Sequence, residues 1–99
     1  MMKFGISREH WSWFETEIVA PLKAHGAKVF LFGSRARGTH KKFSDLDILI
    51  ESQDDLSLLI GFLSEKLEES NFPFKVDLVD ARELANSYKK SVERDKVLL

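Results

Sequence analysis

This 99-residue sequence predicts a small α/β or α+β domain, a single sheet with helices packed mainly on one face. Three observations carry that reading. Apolar residues recur at three- and four-residue spacings over residues 8–24 and 56–70, as amphipathic helices require. Short apolar or alternating runs at 27–32, 45–51 and 75–80 read as strands. The order is helix, strand, turn, strand, helix, strand, helix, with no repeat, low-complexity segment or internal linker.

Ser7 is placed to cap a first helix, Arg8 to Ala24, whose stripe is Trp11, Phe14, Ile18 and Leu22. Pro21 should kink or shorten it, and His25-Gly26 reads as its terminus. Ala27 to Phe32 is a buried strand pattern before a glycine. The loop from Gly33 to Gly38 has room for one helical turn beginning at Ser34, and Thr39 to Ser44 is a polar, basic turn. From Asp45 to Glu51, alternation sends Asp45, Asp47 and Leu49 to one face and Leu46, Ile48 and Ile50 to the other. The connection permits either a parallel or an antiparallel pairing of these two strands.

Asp54 or Asp55 can cap the second helix, Leu56 to Ser70, with Leu56, Leu59, Leu63 and Leu67 facing inward and Leu58 and Phe62 widening the stripe. Asn71 to Phe74 is a connector. Lys75 to Asp80 forms a third strand, with Asp77 and Val79 on one face and Val76 and Leu78 on the other. A weaker last helix, Arg82 to Arg94, carries Leu84, Tyr88 and Val92, which makes Tyr88 a core candidate.

Composition bounds the function. Fifteen Lys+Arg against sixteen Asp+Glu give a net charge of -1, so nucleic acid is disfavoured as a partner, although a local basic patch is compatible with it. No cysteine is present, which removes disulfides and thiolate chemistry and leaves oxygen or imidazole to hold any metal. The amino-terminal residues lack the apolar run of a signal peptide and no stretch is long enough to span a bilayer, so the expectation is a cytoplasmic protein with no membrane partner. The whole chain, 1–99, is read as one domain.

Chemistry concentrates in Gly33-Ser34 and, ten residues on, Asp45-Leu46-Asp47. A glycine lets backbone approach a phosphate, and a serine at a helix start adds a hydroxyl and an exposed amide. Two carboxylates on one strand face can share a hard cation such as Mg²⁺. Phosphoryl or nucleotidyl transfer needs charge neutralisation and an aligned hydroxyl, and two Mg²⁺ ions can clamp the attacking and leaving oxygens. Asp45 and Asp47 are the candidate bridging ligands. Asp77 is the candidate third carboxylate, favoured by strand phase over Asp80, which suits a turn or cap. Arg35 and Arg37 are candidates for the triphosphate, with a solvated loop as the alternative. His10, His25 and His40 lack metal-ligand spacing, and Trp13 is either a partner contact or packed on a loop.

Gly33-Ser34, Asp45-x-Asp47 and Asp77 within Val-Asp-Leu-Val-Asp resemble the signature of the polymerase-β-type nucleotidyltransferase superfamily. The Gly-Ser-Arg-Ala-Arg-Gly and Ser-Asp-Leu-Asp wording is similar to its minimal nucleotidyltransferase branch. The resemblance covers about Ala27 to Asp80. It implies a mixed sheet with helices on one side, ATP as donor, two Mg²⁺ ions, and Asp45, Asp47 and Asp77 as catalytic and metal-holding residues beside a phosphate turn at Gly33 and Ser34. Members of that branch are typically encoded beside a small all-helical protein of the HEPN or substrate-binding-subunit kind. Several are antitoxins that transfer AMP to a tyrosine of the toxic partner. Larger relatives carry a second helical domain, which this sequence does not show, so base and acceptor recognition would be weak or come from the partner. The alternative is a non-catalytic antitoxin or assembly subunit that binds a helical partner by contact, with Trp13, Leu58 and Phe62 as spare apolar positions. Transfer to RNA is a third reading, weakened by the missing basic surface.

Overall fold

The computed structural model describes residues 2–99. An amino-terminal hairpin pairs β1 (Met2–Lys3) with β2 (Ile6–Ser7) through Phe4 and Gly5, both at positive φ, the backbone that a tight hairpin turn requires. Ser7 then caps a continuous helical run, its hydroxyl accepting from the His10 amide at 3.3 Å. This run comprises α1 (Arg8–Phe14), a π-helical segment (Glu15–Val19) and α2 (Ala20–Ala24). The expected effect of Pro21 takes a particular form here. Pro21 lies at the start of α2 directly after the wider π turn, which shifts the hydrogen-bond ladder where the proline N–H is missing. The helix is therefore not shortened.

Four strands form the main sheet in the order β5-β4-β3-β6: β3 (Lys28–Phe32), β4 (Leu46–Glu51), β5 (Val76–Asp80) and β6 (Val97–Leu98). β3 runs antiparallel to β4 and β6, and β4 runs parallel to β5, so the sheet is mixed. Between β3 and β4 lies the single turn α3 (Ser34–Arg37), closed by Gly38 at φ 78°. The second long helix, α4 (Ser57–Glu69), returns the chain to β5. A 3₁₀ turn (Ala81–Glu83) and α5 (Asn86–Asp95) then lead to β6.

Alternation within the strands divides the apolar residues between two faces. Val29, Leu31, Leu46, Ile48 and Ile50 pack under α1, α2 and α4 in the main core, with Phe14, Ile18, Leu22 and Leu63. Phe30, Leu49 and Val92 form a smaller cluster on the other face, under α5, with Phe32 and Val79 at its margin. Helices thus cover mainly one face, as the sequence predicts.

Several elements differ from expectation. Leu58 and Phe62 do not widen the α4 stripe; they are 91 % and 62 % exposed, and the half-buried Ile60 joins Leu59 and Leu67 against the core instead. The last helix is split, because Asp80 caps a separate 3₁₀ turn by accepting from the Arg82 amide at 2.9 Å. Tyr88 is not core: Val92, one turn later, takes the buried place on Phe30 and Leu49, and Tyr88 is 61 % exposed. The connector contributes to the core, since Phe72 stacks on Trp13 and on Phe14 with ring centroids 5.5 Å apart in each pair. Trp13 therefore packs on a loop.

Candidate active site

The strand directions bring three chain segments to one end of the sheet. The carboxyl end of β3 meets the amino ends of β4 and β5, and Phe32, Asp47 and Asp77 stand in one register row. Paired residues on neighbouring strands share a face, so both carboxylates project from the side opposite the main core. Strand spacing sets their backbones about 4.8 Å apart. Asp45, two residues before Asp47, precedes β4 and is exposed, as is Asp77, whereas Asp47 is half-buried.

Gly33 explains the tightness of the Asp47 position. It follows the Phe32 partner of Asp47 directly, at φ 78°, and a Cβ added there would collide with Asp47 Oδ2. Only glycine leaves space for the carboxylate against the turn. Partial burial is the main cause that raises the Asp47 pKa above its ordinary value of 3.8, followed by the charges of Asp77 and Asp45, with Arg37 acting in the opposite sense. The row is thus a concentration of negative charge that a bound cation would relieve.

Asp80 is separated from this row by strand parity. It pairs in register with Ile50, and Arg82 holds it through a 2.8 Å ion pair. Hydrogen bonding from Arg82 lowers its pKa. A capped and paired carboxylate of this kind is a structural group.

The two arginines of α3 part company. Arg35 was expected at the triphosphate but is 2 % exposed and turned into the protein. Its guanidinium donates to the carbonyls of Phe4 at 2.8 Å, Lys42 at 3.4 Å and Ser44 at 2.9 Å, and lies 4.5 Å from the Phe74 ring centroid. Burial lowers its pKa and the charge of Asp45 opposes that shift. With its donors engaged on carbonyls, Arg35 braces the loop leading to Asp45 and is not available to a phosphate. Arg37 points to the open side, where Nη1 donates to Asp95 Oδ2 at 3.0 Å. Together with Phe32, Gly33 and residues of α5 it lines a shallow cavity of about 260 Å³. Sequence reasoning missed this α5 wall, for which a short polar helix offers no signal.

A divalent cation fits the chemistry of the donor set, because the row offers only hard carboxylate oxygens and includes the cramped, partly desolvated Asp47. Among the described residues, no group of three or more His, Cys, Asp or Glu side chains converges into a ready-made metal cage. Mg²⁺ does not require one, since it keeps several waters and is usually held by one or two carboxylates with substrate phosphates. Among the same residues, no helix is long and apolar enough to cross a membrane.

Comparison with known proteins places the fold. The model of the nucleotidyltransferase domain family matches residues 12–99. The chain belongs to that family. It is 36 % identical over 72 residues to the "Probable protein adenylyltransferase MntA" of Haemophilus influenzae, covering 72 % of this chain and 63 % of that relative. The chain thus spans less than two thirds of that relative's length. A solved structure named for a minimal nucleotidyltransferase superposes with a TM-score of 0.71 at 30 % identity, covering 99 % of this chain and 97 % of the other. A crystal structure of a toxin–antitoxin with AMP-PNP superposes with a TM-score of 0.66 at 30 % identity, covering 85 % of this chain and 70 % of that one.

Proposed function

We propose that this protein is an Mg²⁺-dependent transferase that moves AMP from ATP to a hydroxyl, the acceptor being a tyrosine of a small helical, HEPN-type partner encoded nearby. The observation that carries the reading is the register pair Asp47 and Asp77 set against Gly33, with Asp45 beside them. The likeness to a toxin–antitoxin structure with AMP-PNP supports both the nucleotide and the antitoxin role.

In this reading Gly33 and Ser34 receive the triphosphate, and Arg37 contributes charge at its edge. Asp45, Asp47 and Asp77 would hold the Mg²⁺ ions, which when bound would supply charge neutralisation on the phosphates and acidification of the acceptor hydroxyl. The hydroxyl oxygen forms a bond to the α-phosphorus, the bond to the bridging oxygen breaks, and pyrophosphate leaves. Asp77, at the outer strand, is placed to orient the hydroxyl or accept its proton. Arg35 acts at one remove, by fixing Ser44 ahead of Asp45.

Incubation with labelled ATP, Mg²⁺ and the product of the neighbouring gene should label that product. No label with the wild type, or equal label with Asp47→Asn, would sink the proposal.

A second reading, neutralisation by contact, draws on α4. Phe62 and Trp13 line a groove beside the exposed Leu58, an apolar surface suited to a partner helix. If the Asp45→Asn/Asp47→Asn double variant still suppresses the partner fully in cells, contact is the mechanism.

A further inference from the structure

We propose that the aromatic face of Tyr88, which lines the α5 cavity together with Phe32 and Gly33, is the platform on which the base of the bound nucleotide stacks. This rests on the reading that the Gly33 turn takes the triphosphate, and it deepens that reading by giving the base a place on this chain.

The cavity of about 260 Å³ opens from the phosphate turn itself, since Gly33 lines it. Phe32, Val92 and Tyr88 give it an apolar and aromatic lining, and Arg37, paired with Asp95, adds a cation. Val92, buried on Phe30 and Leu49, anchors α5 and thereby fixes Tyr88 one turn away. An apolar lining, an exposed tyrosine and a cation beside a phosphate turn together match a flat heteroaromatic ring joined to an anionic tail. A nucleoside triphosphate has that chemistry.

The same lining has little with which to read a base edge. Ser91 Oγ donates to the Tyr88 carbonyl at 3.0 Å, and the carboxylate of Asp95 is held by Arg37 and Arg94 at 3.0 Å each. Stacking tolerates any base, because every base has a π face. The platform therefore binds adenine and guanine nucleotides with similar affinity.

Tyr88 is the only tyrosine of the chain, so fluorotyrosine incorporation gives one ¹⁹F resonance to follow. Saturating Mg·ATP and Mg·GTP should each shift it, while inorganic tripolyphosphate should compete with ATP in calorimetry yet leave the resonance in place. Tyr88→Phe should keep ATP affinity. Tyr88→Ala should weaken ATP binding roughly tenfold, the loss typical of one stacked base, with tripolyphosphate binding unchanged. ATP binding without a resonance shift, an equal shift from tripolyphosphate, or equal ATP affinity in Tyr88→Ala would overturn the platform while leaving the phosphate site standing. Absence of binding by both ATP and tripolyphosphate would overturn the phosphate site and the platform together.

Discussion

On the covered face of the sheet, Val29, Leu31, Ile48 and Ile50 are sealed under the long helices at 1 % exposure or less. On the opposite face the same strands carry Phe30 and Leu49 beneath α5, and then an open row of Phe32, Asp47 and Asp77. A shift of one residue along a strand separates the two environments. The lesson is that the rigid side holds the open side in place: the carboxylates ride on strands whose alternate residues are locked in the core. The arginines of α3 repeat the contrast within one turn, Arg35 buried among carbonyls and Arg37 at the rim of the cavity.

The largest expected effect lies on the open face. Asp47→Asn should reduce transfer by about 10²–10³-fold, the scale lost when a charge-stabilising group is removed; unchanged label transfer would break the division of labour. Next comes the covered side. Arg35→Met removes the donor to three carbonyls and should lower unfolding free energy by about 3 kcal/mol in urea titration. A loss below about 1 kcal/mol would show that Arg35 is not a brace. Arg37→Ala breaks an ion pair with Asp95, which Arg94 still holds, and should change stability by less than about 1 kcal/mol. It should nonetheless weaken nucleotide binding, more so at low salt, as calorimetry at two salt concentrations would show.

The smallest effect concerns pH. The Asp47 pKa is raised in the folded state, so the stability this residue contributes is present below its ordinary value of 3.8 and declines as pH rises through the folded pKa. Asparagine stays neutral throughout. Asp47→Asn should therefore melt higher than wild type at neutral pH, and the advantage should vanish on acidification.

Much of this was legible in the sequence because strand alternation has a period of two. That period placed Asp45 and Asp47 together and preferred Asp77 to Asp80, while the continuous apolar run over 27–32 placed Gly33 at the end of β3. Its limits are equally physical. Arg35 and Arg37 differ by two positions on one helical turn, and nothing local says which one turns inward. β1, β2 and β6 are two residues each, too short to show any period. Tyr88 follows the α5 stripe in spacing, yet only Val92 of that stripe is buried against the sheet. Leu58 and Phe62 are apolar on a face that α4 turns to solvent. The direction of β3 relative to β4, left open by the loop, decided which strand ends met and hence where the site lay.

The central claim is that Asp47 is held against the fold's own preference so that it can bind a cation with the nucleotide. Thermal unfolding of wild type and Asp47→Asn, each with and without Mg·ATP at neutral pH, tests it most directly. Asp47→Asn is expected to be the more stable protein alone and to gain little or nothing from Mg·ATP, while the wild type gains a clear shift in Tm that chelation of Mg²⁺ removes. An Asp47→Asn protein less stable than wild type, with the same Mg·ATP shift, would contradict it.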